Sequence, residues 1–458
     1  LHVASPSKMA APGEDTFPSE DGDAVRMDDS GSDEDEDEMD ADVEGAQEAA
    51  KVYVPGLEPL KPGEELEMDT SAYRMYHECQ TGAPCLSFDV VRDREGDGRE
   101  NFPLSMLLCA GTQADSALSN RLIVMRMHNL HGTEQKKDDE SSEEESDDDE
   151  DEEKKPLMEL AMIPHYGGIN RVRVTQRGEQ SLAAVWSEKN QVEIFDLQPQ
   201  LRAVHSSAVM AAFVKQPKEA TPLFSFSGHM AEGFAIDWSP KVPGRLVSGD
   251  CKKNIHVWEP REGGTTWQID QRPFCSHSKS VEDLQWSPTE ATVFASCSVD
   301  QSIRIWDIRA PPNSMLSANG AHTSDINVIS WNQTEPFLLS GGDDGILKVW
   351  DLRQFQSGKP VATFKQHSAP VTSVEWNPVD SSVFAASGAD DVVSLWDLSV
   401  ESCDTGAQAE GVKELPPQLL FLHQGQTEVK EIHWHPQIPG ALITTALSGF
   451  NVFRTISV

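Results

Sequence analysis

Four times along this chain a histidine, a serine, an aspartate and a tryptophan approach a fixed spacing. His277, Ser296, Asp300 and Trp306 make one set, and His322, Ser340, Asp344 and Trp350 the next. A third has His367, Asp390 and Trp396 but Ala386 where serine is expected; a fourth has His229, Ser248 and Trp258 but Lys252 at the aspartate position. Histidine, serine and an acid are the parts of a nucleophilic triad, in which the imidazole takes the hydroxyl proton and the acid orients the imidazole. Recurrence argues against that chemistry. A polar network that satisfies buried groups can be copied from repeat to repeat, whereas several active sites in a row have no use. The chain also lacks a phosphate-binding glycine loop, metal-ligand spacing and a nucleophile motif, so neither an enzyme nor a cofactor is expected. Gly341–Gly345 precedes Ile346–Trp350 in register and reads as a turn between strands.

The elements that must position these sets follow from the repeat. Histidines at 165, 229, 277, 322 and 367 are each followed about 29 residues later by Phe195, Trp258, Trp306, Trp350 or Trp396, and His423 with Phe453 is a looser sixth copy. Runs such as Ser302–Trp306 and Ile346–Trp350 alternate apolar and polar residues, the period of a strand. Successive histidines lie 64, 48, 45, 45 and 56 residues apart. A four-stranded propeller blade takes roughly 40 to 45 residues, so the longer intervals are blades with insertions. Asn120–Asn129 resembles Asn190–Leu197 and marks one more blade, giving seven. Leu86–Val91 reads as a lone strand that pairs with the last blade and latches the ring. These units resemble WD repeats. The expected fold is all-β: a seven-bladed WD-repeat β-propeller over 86–458, preceded by a helix region at 52–85 and an acidic disordered segment at 1–51. Glu64–Glu78 is expected to be the helix, with Leu66, Tyr73 and Tyr76 on one face.

The formal net charge is −39 and is uneven. Asp28–Glu44 holds 11 acids and Asp138–Glu153 holds 13, with no Lys or Arg in either run. Such density of like charge repels and buries nothing, so disorder is expected there and through the insertion 134–155. Solubility is the plain role; an attraction for very basic proteins is the sharper one. Direct nucleic-acid binding is disfavoured, because phosphates need a basic stripe. Seven scattered cysteines without a C-x-x-C pair fit a reduced nuclear or cytosolic protein. No apolar run approaches a membrane span and no signal-peptide core is present. Residue 1 is Leu, which leaves the natural start open. A monomer is expected.

Propeller function sits on faces and in insertions. The acidic loop 399–415 runs into Pro416-Pro417-Gln418-Leu419-Leu420-Phe421. This is similar to histone-binding WD proteins of the retinoblastoma-binding type. The resemblance implies a groove bordered by Glu414, Pro416 and Pro417, with Tyr73 and Tyr76 on its helix side. It further implies a channel mouth formed by Asn170, Glu232, Phe234, Glu282 and Asn327; four of these lie five residues after a histidine, and Glu232 three after His229. Gly168 stands where that family has an acid. A solvated loop and solvated channel residues are the plain alternatives. Trp306-Asp307-Ile308-Arg309 and Trp350-Asp351-Leu352-Arg353 resemble the paired ends of cullin-type ubiquitin-ligase substrate receptors, with Arg309 and Arg353 facing the adaptor; a blade-to-blade salt bridge is the simpler reading.

Thr81–Asp89 and the acidic stretch resemble the glutamate-rich WD-repeat family over residues 52–458. That resemblance implies a partner among histones and a large-subunit ribosomal protein, work in ribosome biogenesis and chromatin, and a nuclear and nucleolar place. Ser30, Ser32, Ser141, Ser142 and Ser146 each precede an acid by three residues, which suits an acidophilic kinase.

Overall fold

In the computed structural model the described residues are 3–4, 53, 66–133, 153–215, 221–263, 265–401 and 415–458. They form seven antiparallel sheets of four strands, one per blade; blade 6 gains a fifth, parallel strand, Val3–Ala4, along Leu419–Gln424. Blade 1 runs Cys85–Val91, Leu104–Thr112, Arg121–Leu130 and Leu157–Pro164. Blade 2 begins at Ile169–Arg177, blade 3 at Ile236–Trp238, blade 4 at Val281–Trp286, blade 5 at Ile326–Trp331, blade 6 at Val371–Trp376 and blade 7 at Glu431–Trp434.

Two sequence expectations are corrected here. Leu86–Val91 belongs to the innermost strand of blade 1, not to the latch. The latch is Tyr73–Cys79, which pairs antiparallel with Gly449–Thr455 as the outer strand of blade 7. The expected helix over Glu64–Glu78 is absent from its described part; only the 3-10 turn Thr70–Ala72 precedes the strand. The aromatic and β-branched stretch finds an open strand edge, and pairing with it overrides the helical spacing.

Burial follows the blades. Seven apolar clusters lie one at each seam between neighbours, such as Val328, Leu339, Trp376, Phe384 and Trp396 between blades 5 and 6. Each blade is a wedge that cannot cover its own apolar faces, so the ring stands only when closed. Gly341 shows how tight a seam is: a Cβ there would collide with Val371 of the next blade.

The innermost strands add a polar seam. A side chain of one blade accepts a backbone N–H of the next: Ser87 from Val172 (3.0 Å), Asp237 from Trp286 (2.6 Å), Asp283 from Ile329 (3.0 Å), Ser330 from Trp376 (3.1 Å), Ser373 from Ile432 (3.2 Å) and Glu431 from Phe88 (2.8 Å). Between blades 2 and 3 the polarity reverses, and Arg171 donates to the Phe234 carbonyl at 3.1 Å. The inner strands of adjacent blades splay apart, so these N–H groups have no strand partner and side chains must satisfy them.

Among the described residues no helix is long and apolar enough to cross a membrane.

Candidate protein-binding surfaces

The histidine sets come first, because they carry the triad-like chemistry. His277 Nε2 lies 2.6 Å from Ser296 Oγ and its Nδ1 3.0 Å from Asp300, while Trp306 Nε1 donates to the same Oγ at 2.8 Å. His322, Ser340, Asp344 and Trp350 repeat the arrangement at 2.8, 3.0 and 2.9 Å. The indole N–H donates to the hydroxyl, the hydroxyl to Nε2, and Nδ1–H to the carboxylate, so one neutral tautomer satisfies every group. Burial lowers the pKa of His277 and His322 and keeps them neutral. Ser296 and Ser340 are 0% exposed, so no substrate reaches either hydroxyl.

The two incomplete sets are completed from neighbouring positions. His229 finds Asp250 at 3.1 Å, two residues before Lys252. His367 finds Ser394 at 2.9 Å, which also accepts from Trp396 at 2.8 Å. Ser394 is the cross-strand partner of Ala386, so the hydroxyl has moved one strand over without leaving the network. Cross-strand pairing is not readable from linear spacing, which is why the set looks broken in sequence.

The degenerate blades use other chemistry. His165 bonds Glu193 at 3.0 Å and the Gly167 carbonyl. His423 sits between Tyr73 Oη (2.8 Å) and Asn451 (3.3 Å) and stacks on Phe453, and burial pushes its pKa down to about 3. Near the axis, Glu431 takes both Arg171 and Arg173 at 2.8 Å, with His433 at 3.6 Å. Burial opposes the charge on His433, but Glu375 and Glu431 overcome it and hold its pKa up at about 10.

Strand alternation fixes two faces. Each innermost strand starts on one, the upper face; connections from third to fourth strand leave from the other, the lower face. The upper face carries the expected channel-mouth residues. Asn170 Nδ2 donates to Glu232 (3.2 Å), Asn327 donates to Asp343 (2.8 Å), and half-buried Glu282 is pushed up by burial and by neighbours that include Asp325. Asn170, Glu282 and Asn327 each sit on a bulge at the second residue of an innermost strand, which turns them toward the mouth. Phe234 lies in the same register just before its strand and is half-buried. Asp325 and Asp343 join this acidic mouth and were missed, because they flank the five-residue offset rather than occupy it.

The lower face carries the acidic insertion, the 399–415 loop, and the turn before the latch. Pro417 is exposed and Pro416 half-buried. Tyr73 is 2% exposed and packs among Phe421, His423 and Phe453, so it belongs to the seam between blades 6 and 7 rather than to a groove wall. Tyr76 is half-buried, donates to Glu78 and accepts from Asn451. Glu414, Ser30, Ser32, Ser141, Ser142 and Ser146 lie outside the described residues. Arg309 and Arg353 project from the ends of adjacent blades on this same face. Each forms a forked pair with the aspartate of its own W-D-x-R, Asp307 at 2.6 Å and Asp351 at 2.8 Å, not a blade-to-blade bridge. Their side chains are 70% and 66% exposed.

Comparison with known proteins places this geometry. Residues 63–131, the latch and most of blade 1, match the family described as histone-binding protein RBBP4 or its counterpart in the CAF1 complex. Residues 270–307, 314–351 and 358–397 match the WD domain, G-beta repeat. The chain is 43% identical over 418 residues to glutamate-rich WD repeat-containing protein 1 of Dictyostelium discoideum, covering 88% of this chain and 85% of that one. The chain belongs to the glutamate-rich WD-repeat family. Ribosome assembly protein rrb1 of Schizosaccharomyces pombe is 41% identical over 433 residues, 92% of this chain and 88% of its own. Protein HEAT STRESS TOLERANT DWD 1 of Arabidopsis thaliana is 41% identical over 433 residues, covering 89% and 92%. Within the glutamate-rich WD-repeat family this chain is a WD-repeat scaffold related to a ribosome assembly protein and to histone-binding propellers.

Proposed function

We propose that this protein is a non-enzymatic escort for basic nuclear proteins, histones or a large-subunit ribosomal protein, acting in ribosome biogenesis and chromatin assembly. The observation that carries the reading is the acidic channel mouth: Glu232, Glu282, Asp325 and Asp343 gather around Asn170 and Asn327 on one face. A lysine or arginine side chain entering there meets several carboxylates in a partly desolvated ring, where a charge-assisted hydrogen bond gains most. The acidic runs 28–44 and 138–153 raise the encounter rate with a cationic partner. Pro416 and Pro417 would border a second contact on the lower face. Buried serine hydroxyls support the absence of catalysis. Gel filtration of the full chain with core histones, and separately with a basic large-subunit ribosomal protein, tests the reading. Co-elution with at least one, lost in Glu232→Lys/Glu282→Lys, is expected; co-elution with neither contradicts it.

A second reading has its own observation. Arg309 and Arg353 are exposed, held rigid by their aspartates, and present on adjacent blades, as an adaptor of a cullin-type ligase would require. Under this reading Arg309→Glu/Arg353→Glu loses adaptor co-purification while histone binding persists; unchanged co-purification removes it.

A further inference from the structure

Between the third and fourth strands of blade 2 lies a helical insertion: α1, Gln198–Val204, and α2, Ser207–Lys215. The two helices pack on each other, and α1 covers the outer strands of blade 1, which would otherwise be an open sheet edge. Ala203 and Val204 of α1 are buried in the seam between blades 1 and 2. That accounts for α1. It does not account for α2.

Residues 208–214 of α2 read Ala-Val-Met-Ala-Ala-Phe-Val, seven apolar residues in a row. A helix that is apolar all round belongs in an interior. Yet α2 has no buried residue. Only Met210 and Phe213 lean on the seam, half-buried. At about 100° per residue, Val209 and Val214 flank that inward side and Ala208, Ala211 and Ala212 face away from it. Val214 is 72% exposed and Val209 42%. The outward surface is therefore small in the middle and branched at its edges, a shape onto which a second helix can pack closely.

Charge says what kind of helix. The chain carries −39, but 198–215 contains no acid and holds Arg202 and Lys215. Both are exposed, and neither has an acidic partner among the described residues. Arg202 also lines a groove of about 880 Å³ between blades 1 and 2, with Leu107, Pro199, Leu201 and His205. A second copy of this chain is a poor occupant: it would set these cations against their own kind and bring two strongly acidic molecules together.

We propose that α2 is a docking helix for an acidic amphipathic helix of a partner protein. Its apolar face covers Val209, Val214 and the alanines, and its carboxylates meet Arg202 and Lys215. The partner is opposite in charge to the basic cargo, so the protein would hold both at once on separate surfaces.

The probe is a fluorescein-labelled ~18-residue peptide with leucines on one helical face and glutamates elsewhere. Two isomers serve as controls, one with lysine for every glutamate and one with serine for every leucine. Anisotropy with the full chain should show saturable binding of the first peptide only. Val209→Asp/Val214→Asp and Arg202→Glu/Lys215→Glu should each weaken it at least ~10-fold, with melting temperature within about 2 °C of the parent, since none of the four side chains is buried. Histone binding should be unchanged in both variants, which separates failure here from failure of the escort reading. No saturable binding, equal binding of the lysine isomer, or a dimer by light scattering that Val214→Asp dissolves would each overturn the proposal.

Discussion

Blades 3 to 6 and blades 7, 1 and 2 solve one problem in two ways. Each must satisfy polar groups buried by the closing ring. Blades 3 to 6 do it locally, with a histidine, a serine, an aspartate and a tryptophan at each blade, all neutral except the carboxylate. Blades 7, 1 and 2 do it across blades. Glu431 of blade 7 caps a backbone N–H of blade 1 and binds two arginines of blade 2, and the latch supplies Tyr73 to His423. A local network can be lost from one blade without touching the next. A shared charge cannot. The ring closes in the second half, and its polar links span more than one blade.

That contrast predicts a ranking. Glu431→Gln should be the most damaging single change, at about 3–5 kcal/mol, because it leaves Arg171 and Arg173 buried without their counter-charge. Chemical denaturation measures it; a loss under about 1 kcal/mol would mean the charge cluster is not what holds the closing half. Ser394→Ala should cost less, about 2–3 kcal/mol, since it removes the partner of both His367 and Trp396. Adding Ala386→Ser should return most of that loss, because the two positions face each other across the strands. If the double variant is as weak as the single, blade networks are less interchangeable than the comparison holds.

The two halves also part with pH. His229, His277, His322 and His423 have pKa values lowered by burial, so their contribution is full above about 6.5 and fades as pH falls, for His423 toward about 3. His433 runs the other way: raised to about 10, its contribution is full below about 6.5 and is lost as pH rises through 10. Hydrogen exchange near pH 9.5 should therefore open blades 7, 1 and 2 first, and Glu375→Gln should flatten that alkaline limb. Uniform opening around the ring would count against the division.

The regular half was legible in sequence because its spacing repeats, so histidine and tryptophan offsets alone place the strands. The closing half was not. Tyr73 and Tyr76 sit at helical spacing, and only the free edge of Gly449–Thr455, supplied from the far end of the chain, makes them strand. Asp250 and Ser394 lay off the expected offsets and became visible only through cross-strand and turn geometry. Of the binding residues, the channel mouth falls where the five-residue offset predicts, on bulges that no spacing reveals. Tyr73 was misread as surface, because its hydroxyl finds a partner inside the seam at His423.

The central claim is that acidic surfaces of a non-catalytic propeller hold basic partners. Titrating labelled core histones with the full chain across a salt series, beside a chain lacking 138–153 and a Glu232→Lys/Glu282→Lys variant, tests it most directly. Affinity should fall steeply with salt, the deletion should shallow that dependence, and the charge reversal should remove most binding at every salt. Binding that is insensitive to salt and unchanged in both variants would contradict the account.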